Sequence, residues 1–327
     1  MNILLTGGAG YIGSHVLLLL IDKGHNVTVI DNLSTGNKNL IPNHIRHINC
    51  NIEDSEKIAN IIKNEKFDIL LHFAGYIKVE ESVAKPEKYF QNNTINAIKL
   101  FETCYKYGLN NILFSSTAAA YGNPINNNSI KEDEDLKPLN PYGESKVRVE
   151  KYLLKNKDKF KSIILRYFNV AGADPDLRSG LISDKPTHLI KILSEVAIGK
   201  RDKISIYGNN YNTNDGTAIR DYIHVSDLAD IHIEAAKYLI ENKISNIFNC
   251  GYGKGHSVLE VINTANSIYG NKIKFEYSER RPGDSEKLVS NTDKLHQHIN
   301  WKPKFDDLNL IIETAVEWEK KIYEKDL

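Results

Sequence analysis

Short runs of apolar residues alternate with stretches of helical periodicity through the first half of the chain. The apolar runs read NILLT, NVTVID, INCNI, DILLHFAG, NNILFSST and SIILRYFNV, in that order. Between them lie amphipathic patterns such as those from about Tyr11 onward and over 94–107, which are typical of helices. Continuous apolar strands separated by helices indicate a parallel sheet covered on both faces. We therefore predict an α/β fold with a doubly wound parallel sheet, the Rossmann arrangement.

The pattern changes after Asn169, where a loop rich in glycine, aspartate and proline reads AGADPDLRSG. A helix from about Thr187 and a strand near Ile204 follow it. We place a domain boundary near this loop, which predicts a nucleotide-binding Rossmann domain over 1–170 and a smaller C-terminal α/β substrate domain over 171–327.

Two later segments refine this division. Residues 222–250 again show a strand, a helix and a strand, so parts of this segment are expected to pack on the first domain. A helix that contains a tryptophan is predicted over about 308–323.

The segment TGGAGYIG follows the first predicted strand and opens the first helix, and its Gly8, Gly10 and Gly13 satisfy the pattern GxGxxG. Small residues let the backbone approach a pyrophosphate, whose charge is met by the N–H groups at the helix N-terminus. Asp31 ends the second predicted strand about 20 residues after Gly10, where an acid accepts from a ribose hydroxyl. Asp31 would repel a 2′-phosphate, so the pattern favours NAD over NADP.

The segment NPYGESK predicts the start of a helix, with Asn140 as the N-cap and Pro141 in the first turn. Tyr142 and Lys146 then share one face of that helix, because residues four apart are neighbours on a helix surface. A phenol with a pKa near 10 acts as a base near pH 7 only if its anion gains about 4 kcal/mol. One cation at about 4 Å supplies roughly that much, and Lys146 and an oxidised nicotinamide are both candidates.

Hydroxyl groups at the end of a predicted strand support this interpretation. Ser115, Ser116 and Thr117 lie in SSTAAAYG, at the carboxyl edge of the sheet, where such folds bind ligands. One of these hydroxyls would face the same crevice as Tyr142 and Lys146. The alternative is that the tyrosine and the lysine are two side chains of a surface helix without a chemical role.

Composition excludes several classes of function. The chain has 42 basic and 42 acidic residues, so no overall field attracts nucleic acid or an anionic membrane. Its three cysteines form no CxxC pair and its histidines form no HExxH, so we expect no disulfide and no metal site. The opening MNILLTGG has no basic leader, and the apolar runs are too short to span a bilayer, which predicts a cytoplasmic protein.

A series of motifs covers nearly the whole chain. They are TGGAGYIGSH, DNLSTG, HFAG, FSSTAAAYG, PYGESK, LRYFNVAGA, RDYIHV and RRPGD. With this combination the chain resembles the extended short-chain dehydrogenase/reductase family, and DGT with RDYIHV points within it to the UDP-hexose 4-epimerases. The resemblance implies an NAD-dependent isomerase of galactose metabolism. It would interconvert UDP-galactose and UDP-glucose by oxidation to a 4-keto sugar, rotation of that sugar and re-reduction.

The resemblance also implies roles for individual residues. Thr117, Tyr142 and Lys146 would form the catalytic group, with Tyr142 removing the proton from the sugar 4-hydroxyl and Thr117 in place of the commoner serine. The implied cofactor contacts are Gly7, Gly10, Tyr11, Ile12, Gly13, Asp31, Asn32, Ser34, Thr35, Gly36, Asn51, Ile52, Phe73, Ala74, Gly75, Asn92, Ser115, Tyr142, Lys146 and Phe168. The implied substrate contacts are Thr117, Tyr142, Asn169, His188, Leu189, Ser205, Ile206, Tyr207, Arg220, Arg281, Asp284 and Leu288.

Some of these positions depart from the family's pattern or decide between substrates. Asn51 replaces the usual aspartate that faces adenine, and its amide oxygen can accept a hydrogen bond but carries no charge. Arg220 and Arg281 suit a clamp on a diphosphate, because planar guanidinium groups form paired hydrogen bonds with its oxygens. Their alternative role is surface ion pairing with neighbours such as Asp221 or Asp284. Leu288 stands where the family admits or excludes N-acetyl groups, and a leucine is intermediate in size, so UDP-N-acetylglucosamine and UDP-N-acetylgalactosamine stay open as substrates.

Other functions remain as alternatives. Nucleotide-sugar 4,6-dehydratases share the glycine loop and the YxxxK pair, but they carry an Asp-Glu pair directly after the threonine, where this chain has alanines at 118–120. Related decarboxylases would need a cation that recognises a carboxylate, and the sequence identifies none. A non-catalytic NAD-binding regulator is a third alternative, although such relatives often lose the tyrosine or the lysine. The family also implies a homodimer formed by helices that match 92–107 and 141–156, and no nucleic-acid or membrane partner.

Overall fold

A computed structural model of the chain describes residues 1–124, 129–281 and 284–326. The strands of its main sheet are β1 (Asn2–Thr6), β2 (Asn26–Ile30), β3 (Arg46–Ile48), β4 (Ile69–His72), β5 (Asn111–Thr117), β6 (Lys161–Tyr167) and β11 (Asn246–Cys250). All pair in parallel, in the order β11-β6-β5-β4-β1-β2-β3. This topology confirms the predicted doubly wound α/β fold.

Helices cover both faces of this sheet. They are α1 (Tyr11–Asp22) and α8 (Val225–Asn242) on one face, and α2 (Ser55–Asn64), α5 (Ala97–Lys106) and α6 (Pro141–Lys155) on the other. Successive side chains of a strand point to opposite faces, so Ile3 and Leu5 pack towards α1 and α8, while Leu4 packs towards α2 and α5. Burial on both faces explains why the strands read as continuous apolar runs.

The remaining strands form small sheets beyond the carboxyl edge of the main sheet. They are β7 (Asn169–Ala171) with β10 (Tyr222–His224), β8 (Ile204–Tyr207) with β13 (Phe275–Ser278), and β9 (Ile219–Arg220) between β12 (His256–Ser257) and β14 (Lys287–Leu288). The helices among them are α7 (Leu189–Ala197), α9 (Val258–Tyr269), α10 (Asp293–His298) and α11 (Leu308–Asp326). Within the described residues, no helix is both long enough and apolar enough to cross a bilayer.

Three predicted elements differ in detail from the observed ones. The run SIILRYFNV is two strands, because the Phe168 N–H donates to Cys250 O and the next residue starts β7, which pairs with β10. The run INCNI is mostly loop, because the edge strand β3 ends at Ile48 and the polar residues after it leave the sheet. The helix predicted over 94–107 is preceded by α3 (Val79–Ala84), α4 (Pro86–Tyr89) and a π-helical turn (Phe90–Asn96).

The segment 222–250 supplies both α8 and β11, so it adds a helix and an edge strand to the layers built by the first half of the chain. The division into domains at residue 170 stays a prediction.

Candidate active site

The glycine loop joins β1 to α1 and packs directly against the end of β4. Gly7 has φ +79°, and a Cβ there would lie 2.5 Å from the backbone nitrogen of Ala74. A Cβ at Gly13 would lie 2.2 Å from the carbonyl oxygen of Gly7. Gly10 is the N-cap of α1, and no side chain caps that helix. Glycine is therefore required for this loop geometry, which leaves the N-terminus of α1 open to an anion.

The carboxylate of Asp31 is buried at the end of β2, where it organises the loops on both sides. One oxygen accepts from the Ala9 N–H at 2.9 Å and the other from the Leu33 N–H at 2.8 Å. Leu33 has φ 58°, the left-handed conformation, so this hydrogen bond stabilises a tight turn. Each oxygen keeps one lone pair, so the carboxylate can still accept a hydrogen bond, and its contact with a ribose hydroxyl stays a prediction.

Asn51 forms a side-chain pair with Asn32. Its Oδ1 accepts from Asn32 Nδ2 at 2.7 Å, and Asn32 Oδ1 accepts from the Ser34 N–H at 3.0 Å. The amide oxygen of Asn51, which was predicted to accept from adenine, is thus already hydrogen bonded to a neighbouring side chain.

A cavity of about 330 Å³ lies along this edge of the sheet. It brings together thirteen of the predicted cofactor residues: Gly7, Gly10, Asp31, Asn32, Ser34, Thr35, Gly36, Asn51, Ile52, Phe73, Ala74, Gly75 and Asn92. The other seven do not line it: Tyr11, Ile12, Gly13, Ser115, Tyr142, Lys146 and Phe168. The cavity thus combines an open helix N-terminus, a glycine loop and a carboxylate with free lone pairs, and this combination fits a dinucleotide.

Seven lining residues were not predicted: Ile30, Cys50, Glu53, Tyr76, Lys88, Gln91 and Asn96. Most of them are sequence neighbours of predicted residues. Lys88 and Asn96 could have been predicted from helical spacing. Lys88, Asn92 and Asn96 are spaced by four, so they share one side of a helical segment that begins at α4.

The predicted catalytic helix begins as expected. Asn140 Oδ1 accepts from the Gly143 N–H at 2.9 Å, Pro141 occupies the first turn, and Ser145 Oγ receives a hydrogen bond from Asn93 Nδ2 at 3.2 Å. These contacts tie the start of α6 to the π-helical turn that carries Asn92. The helix is thereby held rigidly at the carboxyl edge of β5.

Tyr142, in the first turn of α6, lies beside Thr117 at the end of β5. Tyr142 is partly exposed, yet burial raises the pKa of its phenol, while the nearby Thr117 hydroxyl lowers that pKa. Lys146 was expected to lower this pKa, but its Nζ donates instead to the carbonyl oxygen of Ser115 at 2.8 Å. The chain by itself therefore holds Tyr142 as a neutral phenol, because desolvation of the anion outweighs the stabilising contacts.

Lys146 is almost completely buried, and burial lowers its pKa to about 8. It is therefore still mostly a cation at pH 7. A Cβ at Gly75 would lie 3.5 Å from its Nζ, so the lysine adjoins a residue of the cavity wall. The predicted catalytic residues and the cavity are thus contiguous through Gly75.

A buried ion pair fixes α6 from behind. Glu150, one turn beyond Lys146, accepts from the guanidinium of Arg166 on β6 at 2.6 Å, and both side chains are fully enclosed. Ser116 on β5 also donates to Glu150. Removing one partner would leave an unpaired buried charge, so this pair holds the helix against both strands.

The predicted substrate arginines lie in the C-terminal part of the chain. Arg220 Nη2 donates to Asp284 Oδ1 at 2.5 Å, and the guanidinium of Arg281 stacks on the Tyr207 ring at 3.7 Å from its centre. Leu288 is adjacent, because β14 pairs with β9 and sets it beside Arg220. The structure therefore brings these five predicted residues together.

Other predicted substrate residues lie elsewhere. Asn169, His188 and Leu189 line a second, smaller cavity that also contains Tyr11. The Tyr11 hydroxyl donates to Gly172 O at 2.6 Å, which joins α1 to the loop after β7. Ser205 and Ile206 precede Tyr207 in β8, where Ile206 is buried in an apolar cluster.

The chain resembles known proteins in both sequence and structure. The sequence profile of the NAD dependent epimerase/dehydratase family matches residues 3–251. The UDP-glucose 4-epimerase of Azospirillum brasilense is 44% identical over 326 residues, which cover 98% of this chain and 92% of that protein. The UDP-glucose 4-epimerase of Streptococcus mutans is also 44% identical, over 97% of this chain and 96% of its own length.

Solved structures agree with the sequence relatives. A UDP-glucose-4-epimerase from Stenotrophomonas maltophila, with bound NAD and formylated UDP-arabinopyranose, superposes with a TM-score of 0.96 at 31% identity, over 99% of both chains. The UDP-Glc/GlcNAc 4-epimerase of Campylobacter jejuni has a TM-score of 0.85 at 45% identity, over 98% of this chain and 99% of its own. Profile, sequence and fold agree over nearly the whole length, and the chain belongs to the NAD dependent epimerase/dehydratase family.

Proposed function

We propose that the chain is an NAD-dependent isomerase that interconverts UDP-galactose and UDP-glucose. The observation that carries this function is the placement of Tyr142 beside Thr117, at the carboxyl end of β5 and one helical turn from the buried Lys146. Relatives at 44% identity over nearly the whole chain have the same activity in their names.

The residues of the chain have separate tasks in this reaction. NAD, when bound, supplies a hydride acceptor for C4 of the sugar and, in its oxidised form, a positive charge. Tyr142, in its phenolate form, takes the proton of the 4-hydroxyl and returns it after the 4-keto sugar has turned over. Thr117 stabilises the phenolate by hydrogen bonding, and Lys146 contributes a cation at neutral pH.

Because the hexose must turn within its site, the substrate has to be anchored through its nucleotide part. Arg220 and Arg281 are proposed to bind the diphosphate, which places affinity on the nucleotide and leaves the hexose free to rotate. Before substrate binds, Asp284 neutralises Arg220 and the Tyr207 ring supports Arg281, so both guanidinium groups are already ordered. Ordering them in advance lowers the entropy that binding must supply.

The proposed function is tested by incubating the purified chain with UDP-galactose and NAD and identifying the products. We expect UDP-glucose, with no net formation of NADH because the hydride returns to the same carbon. A stable 4-keto-6-deoxy sugar would instead indicate the dehydratase alternative, which the alanines after Thr117 argue against because they lack acid/base groups. Binding of NAD without turnover would indicate the regulator.

A second candidate activity is the same epimerisation of UDP-N-acetylhexosamines. Leu288 packs in one apolar cluster with Ala118 and Phe168. Ala118 directly follows Thr117, the last residue of β5, and Phe168 directly follows the last residue of β6. Its side chain thus adjoins the proposed sugar position, and a leucine leaves more room there than a tyrosine. The relative from Campylobacter jejuni, 45% identical, is named for both glucose and N-acetylglucosamine substrates.

We expect Leu288→Tyr to reduce turnover of UDP-N-acetylgalactosamine at least about tenfold relative to that of UDP-galactose, because the larger ring fills space beside the sugar. Product analysis with each substrate measures the ratio. Leu288→Met conserves volume and is the control, so it should leave the ratio within about twofold. An unchanged ratio in Leu288→Tyr would remove Leu288 from the specificity site.

We also propose a homodimer formed by the helical segments 92–107 and 141–156, because both carry exposed apolar residues. Ile95 is 53% exposed and Leu154 is 43% exposed, on the π-helical turn and on α6. Light scattering that reports a monomer at micromolar concentration would contradict this assembly. The cytoplasmic location stays a prediction.

A further inference from the structure

The cavity proposed for the dinucleotide has an unusual charge distribution. Among its lining residues, all within the described part of the chain, Asp31 and Glu53 are acidic and Lys88 is the one cation. The diphosphate of a dinucleotide adds two negative charges to this wall. Helix N–H groups at the glycine loop meet part of that charge, but without Lys88 the side chains of the wall would only repel it.

The side chain of Lys88 is held in place at the cavity wall. Its Nζ lies 4.0 Å from the centre of the Tyr76 ring and 2.8 Å from Glu81 Oε1. Tyr76 also lines the cavity. A cation over an aromatic face is attracted by the ring quadrupole, and a single carboxylate oxygen leaves the other ammonium protons free to donate.

The surroundings of Lys88 connect it to the reacting group. Tyr89, the next residue, donates to Glu81 Oε2 at 3.1 Å and packs edge-on against the Tyr142 ring, with ring centres 6.5 Å apart. Lys88 also precedes Asn92 by one helical turn, and both line the cavity. The lysine therefore stands on a short, ordered segment between the cavity and the catalytic helix.

We propose that Lys88 is a cofactor-binding residue whose ammonium group contacts the diphosphate of the bound dinucleotide, exchanging Glu81 for a phosphate oxygen. The proposal rests on the proposed dinucleotide site. It assigns Glu81 the role of a competing anion that keeps Lys88 oriented until the phosphate arrives. A partly exposed pair of this kind is weak, so the exchange is not costly.

The test measures binding and does not depend on turnover. Affinities for ADP-ribose, which carries the diphosphate, and for adenosine, which lacks it, are determined by calorimetry on the full chain freed of nucleotide. We expect Lys88→Gln to weaken ADP-ribose binding about fivefold and to leave adenosine binding unchanged, since only a phosphate contact is lost. The difference in affinity between the variant and the wild-type protein should shrink at high ionic strength, because salt screens the contact between Lys88 and the phosphate.

Three further variants sharpen the result. Lys85→Gln removes an exposed lysine of the same segment that does not line the cavity, and it should have no effect on either ligand. Lys88→Arg keeps the cation and should retain most of the affinity. Glu81→Gln removes the competing charge, so ADP-ribose should bind about twofold more tightly.

The proposal is overturned if Lys88→Gln binds ADP-ribose as the unchanged chain does, or if it loses affinity for ADP-ribose and adenosine equally. It is also overturned if the unchanged chain does not bind ADP-ribose at all. Normal ADP-ribose binding with the expected loss in Lys88→Gln, but without conversion of UDP-galactose, would refute the proposed reaction and leave the assignment of Lys88 intact.

Discussion

Replacing Tyr142 with phenylalanine should lower kcat for UDP-galactose about a thousandfold, because the variant loses the group that removes and returns the proton. The ring itself stays, so its edge-on contact with Tyr89 and the packing at the start of α6 are preserved. Binding of UDP-galactose should change less than about threefold, since the affinity is proposed to come from Arg220 and Arg281. Product formation and substrate affinity are measured on the same preparation with saturating NAD.

Tyr152→Phe provides the matched control for this variant. Tyr152 lies on the same helix, and its hydroxyl bonds to Glu102 away from the proposed site. We expect its kcat to stay within about twofold of the unchanged chain. Full turnover by Tyr142→Phe would contradict the catalytic assignment, and loss of substrate binding in that variant would indicate a structural role instead.

Lys146→Met should lower kcat about a hundredfold while making the folded chain more stable. The loss of activity follows from removal of the cation one helical turn from the phenol. The gain in stability follows from burial, which lowers the pKa of Lys146 from 10.5 to about 8. Folding therefore carries a desolvation cost of roughly 3 kcal/mol at pH 7, and methionine removes it. The lost hydrogen bond to Ser115 O offsets about 1 kcal/mol, so the free energy of unfolding should rise by about 2 kcal/mol.

The dependence of this gain on pH has a definite sign. Below pH 8 the lysine is charged in both the folded and the unfolded chain, so the whole cost opposes folding. Between pH 8 and 10.5 the folded chain releases the proton first, so the cost fades as pH rises. The stability advantage of Lys146→Met should accordingly be largest at pH 7 and should shrink towards pH 10.

Denaturant unfolding at several pH values measures this advantage. Lys151→Met, an exposed lysine on the same helix, is the control and should change neither activity nor stability appreciably. A variant Lys146→Met that is less stable than the unchanged chain at pH 7 would show that the ammonium group holds the fold together, against the desolvation argument. Full activity in that variant would remove Lys146 from the catalytic group.

Several parts of the site could be predicted because their information is local. The helix start at Asn140, the glycine loop and the acid at the end of β2 each depend on a few consecutive residues whose backbone preferences are strong. The break between β6 and β7 could not be predicted in this way. It arises because Phe168 pairs with Cys250 O, a partner far along the chain, and an apolar run gives no sign of it.

The charge state of Tyr142 is a further case where local reasoning was insufficient. The spacing from Tyr142 to Lys146 predicts a lysine close to the phenol, but not that its Nζ donates to Ser115 O. The spacing also cannot show how far protein atoms exclude water from Tyr142. This exclusion of water is what raises the pKa of the phenol. Desolvation depends on everything that surrounds a group, so it is set only when the whole fold has formed.

The sequence alone determined the parallel sheet, the nucleotide loop and the placement of the tyrosine, the lysine and the threonine hydroxyl at one sheet edge. Periodicity and backbone preference act within a window of a few residues, and these features need nothing more. Only the tertiary structure decided that Asp284 meets Arg220, that Lys146 Nζ donates to Ser115 O and that Asn32 engages Asn51. Such contacts join residues whose approach depends on how the layers pack, and packing is a property of the whole chain.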